Sequence, residues 1–231
     1  MKKIILTLAL VAFGTMSAHA LDRSDLSVTG GFALNSGVFG ASAKETNLTD
    51  TNTADHIKKE SGVFTDNYNS LFIELGVGSF VSLGYEHTTD SITTPTQTTR
   101  EGKDAEASFS VDFNDLNTMY ATVNLGSTGV YAKYGFTEMD TAIKKTGNSS
   151  SYSNVSIDGT VMGVGYKKSI RDSRIGIRIE GAYYEFDDAT TSNGVAADGG
   201  TPANGGRNQI DASNLEGLQG KIAVTFTLGN N

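Results

Sequence analysis

Large apolar side chains recur at every second position along most of the chain. In "LSVTGGFALNSGVFG" (26–40) they are Leu26, Val28, Phe32, Leu34 and Val38, and in "NSLFIELGV" (69–77) they are Leu71, Ile73, Leu75 and Val77. "FVSLGYEH" (80–87) offers Val81, Leu83 and Tyr85. From Ala105 to Leu125 the spacing predicts one unbroken register, with Phe109, Val111, Phe113, Met119, Ala121, Val123 and Leu125 on one face. Val130, Ala132, Tyr134 and Phe136 follow, then Met162, Val164 and Tyr166, then Ile175, Ile177, Ile179 and Tyr183, and last Leu218, Ile222, Val224, Phe226 and Leu228. A period of two is the signature of a strand, because successive side chains point to opposite faces. The pattern predicts eight strands and little helix after residue 21.

The segments between them are of two kinds. Gly78-Ser79, Gly126–Gly129 and Ser169–Ser173 read as tight turns, whereas 43–66, 88–104, 138–156 and 187–213 read as long polar loops rich in Thr, Ser, Asn, Asp and Gly. Long and short alternate strictly, so antiparallel strands gather the turns at one end and the loops at the other. An even strand count with that asymmetry predicts an all-β, antiparallel, up-and-down transmembrane β-barrel of the bacterial outer membrane. A soluble periplasmic barrel is the competing architecture. It would bury the isoleucines of "RIGIRIEGAYYEF" (174–186) and wet the Arg178/Glu180 row; the membrane barrel does the reverse. The second face decides between them. Thr29, Gly31, Ala33, Asn35, Ser70, Phe72, Gly76, Thr122, Asn124, Ala223, Thr225 and Thr227 are small or neutral, as a narrow lumen requires rather than a solvent face.

The N-terminus fits export. Lys2 and Lys3 precede the apolar run "IILTLALVAFG", and Ala18-His19-Ala20 matches a cleavage site, so residues 1–20 are expected to be a signal peptide and 21–231 the barrel domain. The formal charge is −8, and loss of Lys2 and Lys3 makes the mature chain two units more negative. An acidic chain is a poor match for nucleic acid. There are no cysteines, which excludes disulfides and thiolate metal sites, no tryptophans, and 27 glycines against 2 prolines.

Six ionisable residues fall on the lumen face. Counted from the turn end at about 3.3 Å per residue, Glu74, Lys133 and Arg178 form a lower layer, and Glu86, Glu180 and Lys221 an upper one. Three acids and three bases in a narrow interior are expected to pair, with Arg178 bridging two carboxylates. Tyr85 at the outer rim and Tyr166 at the inner rim are the expected aromatic girdle, since a phenol ring has an apolar face and a polar tip.

These features resemble the small eight-stranded outer-membrane barrels related to opacity-type surface antigens. The resemblance spans about 25–229 and rests on the signal peptide, the strand count, the loop asymmetry, the "GVGYKKS…IGIRIEGAYYEF" hairpin and the alternating last strand. It implies outer-membrane lipid and lipopolysaccharide as surroundings, the barrel-assembly machinery as a partner during biogenesis, an extracellular partner for the loops, and a monomer. The family closes on an aromatic residue, whereas this chain ends Phe226-Thr227-Leu228-Gly229-Asn230-Asn231, which bears on recognition by the assembly machinery rather than on the fold.

Chemistry is sparse. His56 reads as a loop histidine with no partner at metal-ligating spacing. His87 continues the lipid-facing set and lies beside Thr88-Thr89-Asp90-Ser91, so an outer-membrane lipid hydrolase enters as an alternative, although no Ser–His–acid order is evident. "DTNTAD" (50–55) lacks the glycine and distal glutamate of a calcium loop. The expectation is a non-enzymatic surface barrel with a filled lumen and no cofactor or metal, and the main alternative is a narrow porin for small solutes.

Overall fold

The computed structural model describes residues 26–47, 56–101, 105–146, 152–171, 173–192 and 209–229. The expected signal peptide (1–20) and the DTNTAD stretch lie outside them. The strands are β1 (Leu26–Asn47), β2 (His56–Val77), β3 (Val81–Thr88), β4 (Ile92–Thr93), β5 (Gln97–Glu101), β6 (Ala105–Asn124), β7 (Val130–Thr146), β8 (Val155–Ser169), β9 (Ile175–Phe186), β10 (Ala189–Ser192) and β11 (Gln209–Gly229).

The order β1-β2-β3-β6-β7-β8-β9-β11 closes through β1–β11 pairing, from Ser27↔Gly229 to Thr46↔Gln209, into a ring of 8 antiparallel staves. Beyond β3, β4 and β5 stay paired to β6; beyond β9, β10 stays paired to β11, so these short pieces prolong two staves. Closure pairs the backbone polar groups of every stave, which is what lets strands cross lipid. Val77↔Val81, Asn124↔Tyr131 and Ser169↔Gly176 place the three short turns at the end that also holds Leu26 and Gly229. Gly78 (φ 61°), Gly126 (φ 70°) and Gly129 (φ 84°) supply the left-handed backbone of the first two turns, and Arg171 (φ 38°) that of the third.

The faces separate as a membrane barrel requires. Ile177 and Ile179 are 46% and 58% exposed, while Arg178 and Glu180, which alternate with them, are each 3% exposed. Phe32, Leu34, Leu71, Ile73, Met162, Val164, Ile222 and Val224 join the isoleucines in an exposed apolar belt. In water such a belt would be an aggregation surface; in a bilayer it is the lipid-facing wall.

Two expectations need correction. Much of 43–66 and 138–156, and parts of 88–104 and 187–213, are strand, not loop: β1 and β2 pair out to Asn47↔His56, so His56 opens a strand, β4 and β5 fall within 88–104, and β7 runs to Thr146. Threonine is a good strand former, and composition alone made these stretches look like loops. The barrel therefore continues well past the roughly 9–11 residues per strand that cross a bilayer.

The second correction concerns β6, which does not keep one register. Asp115 (φ 52°) forms a bulge where the pairing with β7 shifts between Asn114 and Asn117. Below it Met119 faces outward; above it Phe113 is buried inside and Val111 packs against the internal core. An extra residue in one strand inverts every side chain beyond it. β11 has the same device at Asn214 (φ 52°), opposite the β1–β11 register shift between Gly40 and Ser42.

Candidate functional site: the filled lumen

In the turn-side half of the barrel, Glu74, Glu86, Lys133, Arg178, Glu180 and Lys221 all point inward and are buried. They form two groups. Arg178 meets Glu74 end-on, with Nη1 and Nη2 each donating at 2.6 Å to one carboxylate oxygen. Lys133 donates to Glu86 at 3.2 Å and to Glu180 at 2.9 Å, and Lys221 donates to the same two carboxylates at 2.6 and 3.1 Å. The second group is a square of alternating charge in which each ammonium bridges two carboxylates. Bridging therefore falls to the lysines, and Arg178 serves Glu74 alone. Lys133 joins Glu86 and Glu180 instead of the lower layer. Barrel strands tilt by about 35–45°, so equal residue counts from the turns of different strands are unequal heights.

Each carboxylate also accepts one hydrogen bond from a neutral donor. Tyr120 donates to Glu74 at 2.8 Å, Tyr131 to Glu180 at 2.6 Å and Ser70 to Glu86 at 2.7 Å. From Ser70 the chain of bonds runs through Asn35 Nδ2 at 3.0 Å to Gln219, whose Nε2 donates to Asn35 at 3.0 Å and to the Tyr68 hydroxyl at 2.9 Å. The cations also lie on rings: Lys133 is 4.3 Å from the Tyr120 centroid, and Arg178 is 4.8 Å from that of Phe72. Each ring has room because its cross-strand partner is an inward-facing glycine: Gly31 beside Phe72, Gly84 beside Tyr120 and Gly165 beside Tyr131. A Cβ on any of the three would come within 2.2–2.4 Å of the ring. Sequence reasoning found the charges and missed Tyr68, Tyr131 and Gln219. The signal was available: each lies on the same period-two face as a charged lumen residue.

Above this network the lumen turns apolar. Phe39, Phe64, Phe113, Leu116, Met139, Ile157, Phe186 and Leu215 form a buried cluster across the bore. Phe64 stacks on Phe39 at 5.4 Å and on Phe113 at 6.2 Å between centroids. Tyr68 and Tyr184 join the two zones, because their rings sit in the apolar cluster while their hydroxyls bond Gln219 at 2.9 and 3.1 Å.

A closed ring of 8 staves, an apolar outer wall and a lumen that is polar on its turn side are now in place. The fold is that of a bacterial outer-membrane β-barrel. No family model and no curated protein matches the chain. Among solved structures, the barrel is similar to the outer-membrane protein OprG of Pseudomonas aeruginosa, at a TM-score of 0.52 and 12% identity over 87% of this chain and 96% of that one. It is also similar to the outer-membrane protease OmpT of Escherichia coli, at a TM-score of 0.45 and 10% identity over 87% of this chain and 97% of that one. At 12% identity the likeness to OprG concerns the barrel fold alone.

Tyr85 and Tyr166 are both on the outer wall of the barrel and about equally exposed, Tyr85 toward the far end of β3 and Tyr166 beside a turn. Tyr85 donates to Asn117 Oδ1 at 2.6 Å, and His87 Nδ1 is 2.8 Å from the same oxygen. Ser91, the nearby serine, donates to Asn114 at 2.6 Å instead of approaching the imidazole. Among the described residues no cluster of three His, Asp or Glu could hold a metal ion.

Proposed function

We propose that this chain is a non-enzymatic outer-membrane barrel with a closed lumen, whose outer strands and loops serve surface interaction or envelope structure. The carrying observation is that two seals of opposite chemistry lie in series: the six-charge network with its tyrosines, and the aromatic cluster above it. A continuous water column would have to break both. In this reading the turns face the periplasm, the long ends of the staves face outward, and lipid and lipopolysaccharide surround the belt. The barrel-assembly machinery inserts it as a monomer, and Tyr85 and Tyr166 lie at headgroup level. The hydrolase alternative is disfavoured, because His87 and Tyr85 converge on Asn117 and Ser91 is engaged elsewhere.

The test is conductance in a planar bilayer. Wild-type protein is expected to give no stable open channel, and Arg178→Ala is expected to stay silent as well, because the apolar seal remains. Steady conductance by the wild type would replace this reading with the narrow porin. Lipid A of unchanged mass in cells with and without the protein is the matching expectation for the absence of hydrolysis.

A further inference from the structure

The two bulges have an effect beyond closing the bore. Above Asp115 and Asn214 they turn Val111 and Phe113 of β6, and Ile210 and Ala212 of β11, toward the axis. The interior there opens into a cavity of about 480 Å³ to which every stave contributes, with Phe64, Phe113, Ile143, Ile157, Ile210 and Leu215 as its main apolar surface. Its floor is the aromatic cluster. This part of the barrel extends past the belt, where an interior filled only with water would be expected to be polar. We propose that the cavity is a binding cup for a small, uncharged, mostly apolar molecule arriving from the outer side.

Size, charge and the composition of the rest of the chain each support this occupant. The volume falls within the range of about 300–1,000 Å³ typical of small-molecule pockets, which are likewise mainly apolar with a few polar groups. Among the described residues no lysine or arginine lines the cup, and Glu60 is the one carboxylate on its wall, so an anion finds no counter-charge among them. The threonines on the wall are engaged: Thr141 donates to the Val155 carbonyl at 2.8 Å and Thr191 to that of Ser153 at 2.7 Å. The chain also carries little to fill the cup itself. Residues 48–55, 102–104, 147–151 and 193–208 contain only two large aliphatic side chains, Leu48 and Val195. The floor makes the cup a dead end, so binding rather than passage is its chemistry.

The test uses full-length mature protein in phosphatidylcholine nanodiscs with ¹³C-labelled isoleucine methyls. Ile143, Ile157 and Ile210 report on the cup, while Ile177 and Ile179 report on the lipid face and on simple partitioning of the probe. Titration with 1-octanol is expected to shift the cup methyls saturably. Octanoate should bind about tenfold more weakly or worse, because an unpaired charge in an apolar site is expensive. Ala212→Phe with Ala43→Phe should abolish the cup shifts while the unchanged Ile177 and Ile179 spectra show an intact barrel. Any of three results would overturn the proposal: shifts confined to Ile177 and Ile179, equal binding of octanoate, or contacts from Leu48 or Val195 to the cup methyls in ligand-free protein. The bilayer measurement is independent of all of these, so failure of the cup and failure of the closed-lumen reading are separable.

Discussion

The two halves of the barrel interior fill the same bore with opposite materials. On the turn side, Glu74, Glu86, Lys133, Arg178, Glu180 and Lys221 are held by mutual ion pairs and by Tyr120, Tyr131 and Ser70. On the far side, Phe39, Phe64, Phe113, Ile157 and Leu215 pack with no charge among them. Inside the lipid-spanning half, the polar fill ties β1, β2, β3, β6, β7, β9 and β11 together by directional bonds that hold only in one register. Past the belt, the apolar fill supplies a hydrophobic core to strands that have water outside, as in a soluble protein. The difference predicts how each half fails: the polar half by leaving a charge unpaired, the apolar half by leaving a hole.

The largest expected effect comes from Glu180→Ala. It leaves Lys133 and Lys221, both buried, with Glu86 as their one shared carboxylate, and it strands the Tyr131 hydroxyl. Breaking a buried ion pair by removing one partner costs about 3–5 kcal/mol. Urea unfolding of the barrel in lipid vesicles, followed by heat-modifiable gel migration, measures it. A loss below about 1 kcal/mol would mean that water reaches the network, because screened pairs are worth only that much. Replacing both members of the other pair, Glu74→Leu with Arg178→Met, should be far milder than Glu74→Leu alone, since no charge is then left uncompensated.

In the apolar half, Leu215→Ala is expected to cost about 2–3 kcal/mol, the lower part of the range for burying less leucine. The existing cavity beside Leu215 makes the new void an enlargement rather than a fresh hole. The same unfolding assay reads the change. A ligand that occupies the cup should recover part of the loss by binding only the folded state.

The bulges divide the two halves, and they also mark where the sequence stopped being legible. The strands, the three short turns and the in/out assignment near the belt followed from alternation, because lipid outside and a narrow lumen inside impose strict period two. Ile175, Ile177 and Ile179 against Arg178 and Glu180 is the clearest case. Past the belt both faces become mixed, and the polar far ends of β1, β2 and β7 looked like loop. Asp115 and Asn214 were invisible because a bulge is a backbone event whose one local sign, an Asp or Asn able to take positive φ, is shared with ordinary turns. The ion-pair partners were hidden for a different reason: strand tilt sets which side chains meet, and sequence separation does not report it. Asp115→Val should therefore destabilise by about 1–2 kcal/mol, as expected for a β-branched residue forced into left-handed backbone, and Asp115→Gly should be neutral or slightly stabilising. If Asp115→Val is silent, the bulge is not fixed at that residue.

The smallest effect sharpens the comparison most. Lys144 on β7 contacts Asp112 on β6, which also accepts a hydrogen bond from Thr93 at 3.1 Å. The chemical groups are those of the lumen square, a lysine ammonium and a carboxylate. The surroundings differ: the Lys144 side chain is 67% exposed, whereas that of Lys133 is fully buried. Water around Lys144 already stabilises its charge, and its flexible stem loses entropy on pairing, so Lys144→Ala should cost only about 0.2–1 kcal/mol. Asp112 keeps Thr93 when the lysine goes. Salt should separate the two cases further. At 1 M ionic strength the Debye length is about 3 Å, so the Lys144→Ala loss should shrink toward zero in 1 M NaCl. The Glu180→Ala loss should persist if the lumen is closed as proposed, because mobile ions then cannot reach the network. Equal salt sensitivity of the two variants would place both pairs in contact with solvent and remove the charge network as a seal.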